Sequence, residues 1–170
     1  MIFVTVGTQL PFDRLVAAVD DWAGAAPGRD VVAQTGPTAL RPRHIQHAPF
    51  LGPEECRERM LAATAIVAHA GMGSILTALE IGKPLIVMPR RAALGEHRND
   101  HQLATAQRFG GRGGVTVAFD EAELLLRLDD LDAVSAQPRI SPHAPDEFVA
   151  ALRAFIAGTP MLPAGGDTLG

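Results

Sequence analysis

With 170 residues, 47 % of them apolar, the chain has room for one ordinary domain with a core of its own. Its 15 basic and 19 acidic residues give a net charge of −4, and no block of lysine and arginine is interleaved with aromatics, so nucleic acid is not an expected partner. The single cysteine, Cys56, excludes an internal disulfide and suits a reducing compartment, and no apolar run approaches the roughly 20 residues of a membrane span. The opening Met1-Ile2-Phe3-Val4 carries no secretory signal features, so a cytoplasmic location is expected, with docking on a membrane protein left open.

Ile2 to Val6 is predicted as a buried strand, followed by the turn Gly7-Thr8-Gln9-Leu10-Pro11-Phe12. Pro11 suits the entry to a helix that Leu15, Val16, Val19 and Trp22 make amphipathic. Residues Gly24 to Gly28 break that helix, Val31 to Gln34 is a second strand, and Gly36-Pro37 and Arg41-Pro42 mark loop. His44 to Phe50 is expected as a third strand, weakened by Pro49, and Pro53-Glu54-Glu55 then opens a helix carrying Met60 and Leu61. The β-branched pair Ile66-Val67 runs into His69 and a glycine-rich turn; a helix is expected from Gly73 or Ser74, and Leu85 to Met88 is the next strand, after Gly82-Lys83-Pro84. Asp100 to Phe109 has helical character and stops at Gly110-Gly111-Arg112-Gly113-Gly114; Val115 to Phe119 is a last strand. Glu121 to Leu128 and Asp146 to Ile156 are closing helices, separated by the proline-bearing segment Gln137 to Pro145. This alternation predicts an α/β fold, a Rossmann-like parallel sheet with helices on both faces. Residues 1–158 are expected to form one domain, and the Pro/Gly-rich tail 159–170 to be disordered.

The turn His69-Ala70-Gly71-Met72-Gly73-Ser74 puts the unpaired N–H groups and positive dipole end of a helix start beside a strand end, where phosphate is the usual guest. Such turns also serve simply to reverse the chain. No glycine follows Gly71-Met72-Gly73 at the spacing of a dinucleotide fingerprint, and the P-loop lysine is missing, so a nicotinamide dehydrogenase and an NTPase both lose ground. Gly7-Thr8 also ends a strand, and in a parallel sheet it opens on the same edge, where ligands gather. Two turns facing one crevice can hold a pyrophosphate between them. A third strand end leads to the polar run Gly95 to Gln102, whose side chains can bind hydroxyls. His97 and His101 lie four apart, but no third ligand accompanies them, so no metal site is expected.

On these residues the chain resembles the C-terminal, donor-binding domain of glycosyltransferase family 28. The match is to its free-standing half-enzyme members, those of dolichol-linked N-acetylglucosamine transfer and of bacterial exopolysaccharide assembly. The resemblance rests on IFVTVGTQLPFDRL, VAHAGMGSILTALEIGKPLIVMPR and NDHQLATA, and residues beyond about Gly114 add little. It implies a single GT-B half-domain that binds a UDP-sugar and needs no cofactor and no metal. It implies a diphosphate site at His69, Gly71, Gly73 and Ser74, with Gly7 and Thr8 as the opposing loop and Met72 and Thr77 among the donor-binding residues. Asn99, His101 and Gln102 would contact the donor sugar, and Phe50-Leu51 would border the uracil. Family members typically carry a ribose-binding glutamate three residues after the serine; here that position is Thr77, with Glu80 one turn further on.

The function expected on this footing is the donor-binding subunit of an inverting, metal-independent glycosyltransferase that moves a hexosyl group to a lipid-linked or polysaccharide acceptor. A GT-B enzyme keeps most of its acceptor site in the other half. The chain is therefore expected to be inactive alone and to work with a membrane-associated acceptor-binding subunit. His101 is the candidate catalytic base, with His97 as its alternative and donor contact as the more ordinary role for both. Arg90, Arg91 and Arg98 are expected as solvated loop residues, with a uronate carboxylate as the alternative partner. The competing reading, prompted by Thr77, is a non-catalytic nucleotide-sugar-binding or scaffold protein of the same fold.

Overall fold

The computed structural model describes residues 1–25, 27–110, 115–134, 139–141 and 143–157. The chain divides into two compact units, Met1–Ile140 and Ser141–Gly170. The expected tail at 159–170 and the glycines at 111–114 lie outside the described residues.

The first unit alternates strand and helix: β1 (Ile2–Thr5), α1 (Asp13–Gly24), β2 (Val31–Gln34), β3 (Gln46–Ala48), α2 (Pro53–Ala62), β4 (Ala65–His69), α3 (Met72–Ile81), β5 (Leu85–Met88), α4 (His101–Phe109), β6 (Val115–Val117) and α5 (Glu121–Asp129). The six strands pair in parallel in the order β3-β2-β1-β4-β5-β6, so the expected Rossmann-like sheet is borne out. In the second unit, α6 (Asp146–Ile156) opens with Asp146 and Glu147 in its first turn, where the helix dipole favours acids.

Strands that read as continuous apolar runs are buried on both sides, and their side chains alternate between two cores. Ile2, Val4, Val31, Ala33, Val67, Ile86 and Met88 face one way, packed with Leu15, Val16, Val19 and Trp22 of α1 and Leu124 and Leu128 of α5. Phe3, Val32, Ile66, Ala68, Leu85 and Val87 face the other, packed with Met60 of α2, Ile75, Ala78 and Leu79 of α3 and Ala106 of α4. Each buried valine, leucine, isoleucine, phenylalanine or methionine among them contributes about 1.5–3 kcal/mol by leaving water.

The third strand is shorter than expected at both ends, and Asp20 explains the loss of His44 and Ile45. Its carboxylate, on α1, accepts from the backbone N–H groups of Arg43, His44 and Ile45 at 2.8–3.2 Å, which withdraws those donors from any ladder. Helix α3 begins one to two residues earlier than expected, at Met72 with Gly71 as its N-cap, and ends on left-handed Gly82, with Lys83 N–H returning to Ala78 O at 3.1 Å. Helix α5 is capped by Asp120, which accepts from Glu123 N–H at 2.9 Å.

The strand order reverses between β1 and β4. Both leave the sheet at their carboxyl ends through glycine turns, and in open parallel sheets this is where ligands bind.

Candidate functional site

A cleft of about 470 Å³ opens at that reversal point. Its lining comes from several strand ends: Thr5 to Leu10 after β1, Gln34 at the end of β2, Leu51 and Pro53 before α2, His69 at the end of β4, Arg90 after β5, and Gln102 on α4. Among the described residues no aspartate, glutamate or lysine contributes to the lining.

His69 is the central packing element. Its ring sits between the two glycine turns: a Cβ on Gly7 would lie 2.9 Å from His69 Cε1, and one on Gly71 would overlap the ring. Gly7 also has φ +76°, a left-handed conformation that side chains resist. Nδ1 of His69 stands 3.5 Å from Thr5 O, and only a donating Nδ1–H satisfies that pair, which leaves Nε2 as an acceptor. Burial, and after it the charge of Arg90, lowers the His69 pKa from 6.5 to about 4, so the ring is neutral at pH 7.

Facing this ring is the start of α3. Its N-cap residue, Gly71, makes no side-chain cap, so the N–H groups of the first turn have no side-chain acceptor from it. Gly73, Ser74 and Thr77 of α3 line the cleft. Across from them, Leu51, Pro53, Cys56 and Met60 form an apolar wall contributed by α2 and its approach.

Two side chains hold the loop after β1. Gln34, 3 % exposed, donates from Nε2 to Gly7 O at 3.3 Å and accepts at Oε1 from Leu51 N–H at 3.2 Å, tying opposite rims of the cleft together. Arg90, 2 % exposed, donates to the carbonyls of Val6 and Leu10 at 2.7 Å each, to Glu96 O at 3.3 Å and to Pro11 O. The solvated-loop expectation for Arg90 is therefore overturned, because main-chain acceptors draw its head inward. Arg91 is half-buried and donates to Phe119 O at 2.6 Å. Glu96, within the run expected near the sugar, is bound by Arg14 at 2.7 Å and by Arg91 N–H at 2.9 Å.

Of the residues singled out from the sequence, the cleft brings together Gly7, Thr8, Leu51, His69, Gly73, Ser74, Thr77, Arg90, His97 and Gln102. Gln102 is buried and its Oε1 accepts from Arg90 N–H at 3.3 Å. Phe50, Gly71, Met72, Asn99 and His101 are not in the lining; Phe50 and Met72 are 52 % and 43 % exposed. Asn99 lines a neighbouring hollow with Arg98, and Gln9, Leu10 and His97 border both spaces. His101, exposed, takes Asn99 Oδ1 on its backbone N–H at 3.3 Å. Thr77 lines the cleft and Glu80 does not. Sequence reasoning gave no site role to Gln34, Cys56 or Met60, and offered Arg90 only as the alternative partner of a uronate carboxylate. Gln34 and Arg90 sit at strand carboxyl ends, so the rule that ligands gather there was the available signal.

Among the described residues no group of three or more His, Cys, Asp or Glu is arranged to hold a metal ion, and no helix is long and apolar enough to cross a membrane.

Comparison with known proteins gives a consistent picture. Residues 1–147 match the family model of the glycosyltransferase family 28 C-terminal domain. The mouse UDP-N-acetylglucosamine transferase subunit ALG13 is 31 % identical over 121 residues, covering 65 % of this chain and 10 % of the mouse protein. The human protein of the same name is 30 % identical over 127 residues, covering 66 % and 10 %. The chain thus spans about a tenth of the length of these curated relatives. Among solved structures, the NMR structure of ALG13 superposes with a TM-score of 0.58 at 20 % identity over 88 % of this chain and 93 % of that one. The kitacinnamycin glycotransferase superposes with a TM-score of 0.56 at 20 % identity over 93 % and 40 %; both likenesses are of fold.

Proposed function

This chain belongs to the glycosyltransferase family 28 C-terminal domain family, and from that premise we propose that it binds the UDP-sugar donor of an inverting, metal-independent transfer of a hexosyl group. The acceptor is lipid-linked or a polysaccharide, and a membrane-associated subunit binds it. The observation that carries the reading is the convergence of two glycine turns, at the ends of adjacent β1 and β4, on a cleft whose lining has no carboxylate.

Breaking the glycosidic bond leaves negative charge on the departing diphosphate. Main-chain N–H donors at the start of α3 and in the Gly7 loop, fixed before the reaction, stabilise charge that develops against them without reorganising. Main-chain donors of this kind do the work a metal ion does in other transferases. Uracil fits the apolar wall of Leu51, Pro53, Cys56 and Met60, and Gln102 offers its amide to the sugar. The acceptor hydroxyl must lose a proton to a base within hydrogen-bond reach. His97 borders the cleft and is better placed for that than His101, while the rest of the acceptor site belongs to the partner.

Titration of UDP and UDP-N-acetylglucosamine into the protein, followed by amide chemical shifts, tests donor binding. Absence of shifts at Gly7, Gly73 and Ser74 at millimolar ligand would sink it. A second reading, a nucleotide-sugar-binding scaffold without turnover, is favoured by Thr77 standing where a ribose-binding carboxylate is typical. Transfer from labelled UDP-sugar to lipid by membranes carrying the partner plus this chain, and by neither alone, excludes the scaffold.

A further inference from the structure

We propose that Arg90 is the cation of the diphosphate subsite: main-chain carbonyls hold it in the cleft, so its charge stays available to an anionic ligand while it draws the Gly7 loop into an anion-receptive shape. The proposal rests on the donor-site reading above and adds the residue that selects for phosphate charge.

Four donor contacts of Arg90 go to neutral oxygens, those of Val6, Leu10, Pro11 and Glu96, and its guanidinium carbon lies 4.7 Å from the centre of the Phe12 ring. Among the described residues it forms no ion pair. The Glu96 carboxylate, which helps to sustain its charge from nearby, has its oxygens taken by Arg14 Nε at 2.7 Å, Arg14 Nη2 at 3.0 Å and Arg91 N–H at 2.9 Å. Burial pulls the Arg90 pKa below its ordinary value, yet a guanidinium stays protonated in proteins. A charge at 2 % exposure with no carboxylate bound to it directly is expensive to keep, and a dianionic ligand in the same cleft would answer it. Among the described residues Arg90 is also the only arginine or lysine of the lining, and His69 beside it is neutral at pH 7.

The loop geometry points the same way. In a trans peptide the carbonyl and the following N–H face opposite directions. Arg90 and Gln34 between them engage the carbonyls of Val6, Gly7, Leu10 and Pro11, which withdraws from the loop's free side oxygens that would repel an anion. Of the amides that follow these carbonyls, that of Gly7 donates to Thr5 Oγ1 at 3.3 Å and Pro11 has none, while that of Thr8, turned away from the Gly7 carbonyl that Gln34 holds, finds no acceptor among the described residues. Arg90, Thr8 and the start of α3 at Gly73 and Ser74 thus line one volume.

The test is calorimetry with inorganic pyrophosphate, UDP and uridine on the wild type, Arg90→Met and Arg90→Lys, with folding checked by circular dichroism. The wild type is expected to bind both phosphate ligands more tightly than uridine. Arg90→Met should weaken pyrophosphate and UDP by about tenfold and uridine by less than about twofold, and Arg90→Lys should keep most of the preference. A folded Arg90→Met that binds pyrophosphate like the wild type overturns the proposal. Equal loss of all three ligands also overturns it, since that is scaffolding. If Arg90→Met does not fold, an Arg90→Lys protein that binds pyrophosphate no better than uridine overturns it. Pyrophosphate bound by the wild type and weakened in Arg90→Met, with UDP bound by neither, leaves Arg90 assigned and removes the UDP reading; a wild type that binds neither pyrophosphate nor UDP removes both.

Discussion

The His69 ring occupies the space that a side chain on Gly71 would need, and a Cβ on Gly7 would come within 2.9 Å of the same ring. One imidazole thus sets how close the two turns approach and requires both to be glycine. Gly71→Ala is expected to cost about 1–3 kcal/mol in urea unfolding and to abolish UDP binding. In a His69→Ala background the same substitution should cost far less. Additive costs in that double-mutant cycle would show that the ring is not the obstacle.

Stability should depend on pH through His69. Its folded pKa, about 4, lies below the ordinary 6.5, so between those values the unfolded chain takes up a proton that the folded chain does not. The contribution is complete above 6.5 and is lost as pH falls toward 4, up to about 3 kcal/mol in all. His69→Gln should flatten the fall in thermal midpoint across this window. An unchanged slope would assign the pH dependence to other groups.

Thr77 tests ribose recognition directly. Thr77→Glu places a carboxylate on the cleft-facing side of α3, where it can accept from both ribose hydroxyls. The ratio of UDP to 2′-deoxy-UDP affinity is expected to rise about tenfold over the wild type, in line with a charge-assisted hydrogen bond. An unchanged ratio would mean that the ribose does not lie against Thr77.

Asp20 is a structural residue remote from the cleft lining, and its removal separates folding from binding. It is 8 % exposed and accepts three backbone N–H groups that have no other role in the sheet. Asp20→Ala should lower unfolding free energy by about 2–4 kcal/mol and leave the affinity of the folded protein for UDP within about twofold. A large loss of affinity would link the segment before β3 to the site.

Much of this was legible in the residues. Val31–Gln34, Leu85–Met88 and Asp146–Ile156 carry their bounds in apolar runs closed by glycine, proline and charge, and the structure keeps those bounds. The glycine turns were legible because a positive φ and an uncapped helix start demand small residues. Arg90 and Gln34 were hidden because what distinguishes them is distant: carbonyls some eighty and twenty-seven positions away in sequence. No local pattern marks an arginine whose acceptors lie on another strand's loop. Asp20 was hidden for the same reason, since the amides it satisfies are folded against it only in three dimensions.

The pairing of β1 with β4 joins segments about sixty residues apart, Ile2 against Ala65 and Thr5 against Ala68. Loop closure over that span is slow and comes late relative to local helices. The cleft lies on this seam, so neither wall exists as a binding surface until the seam has closed. A ligand bound across the cleft as proposed would act as a clasp on this long-range joint, stabilising the folded chain in proportion to its affinity.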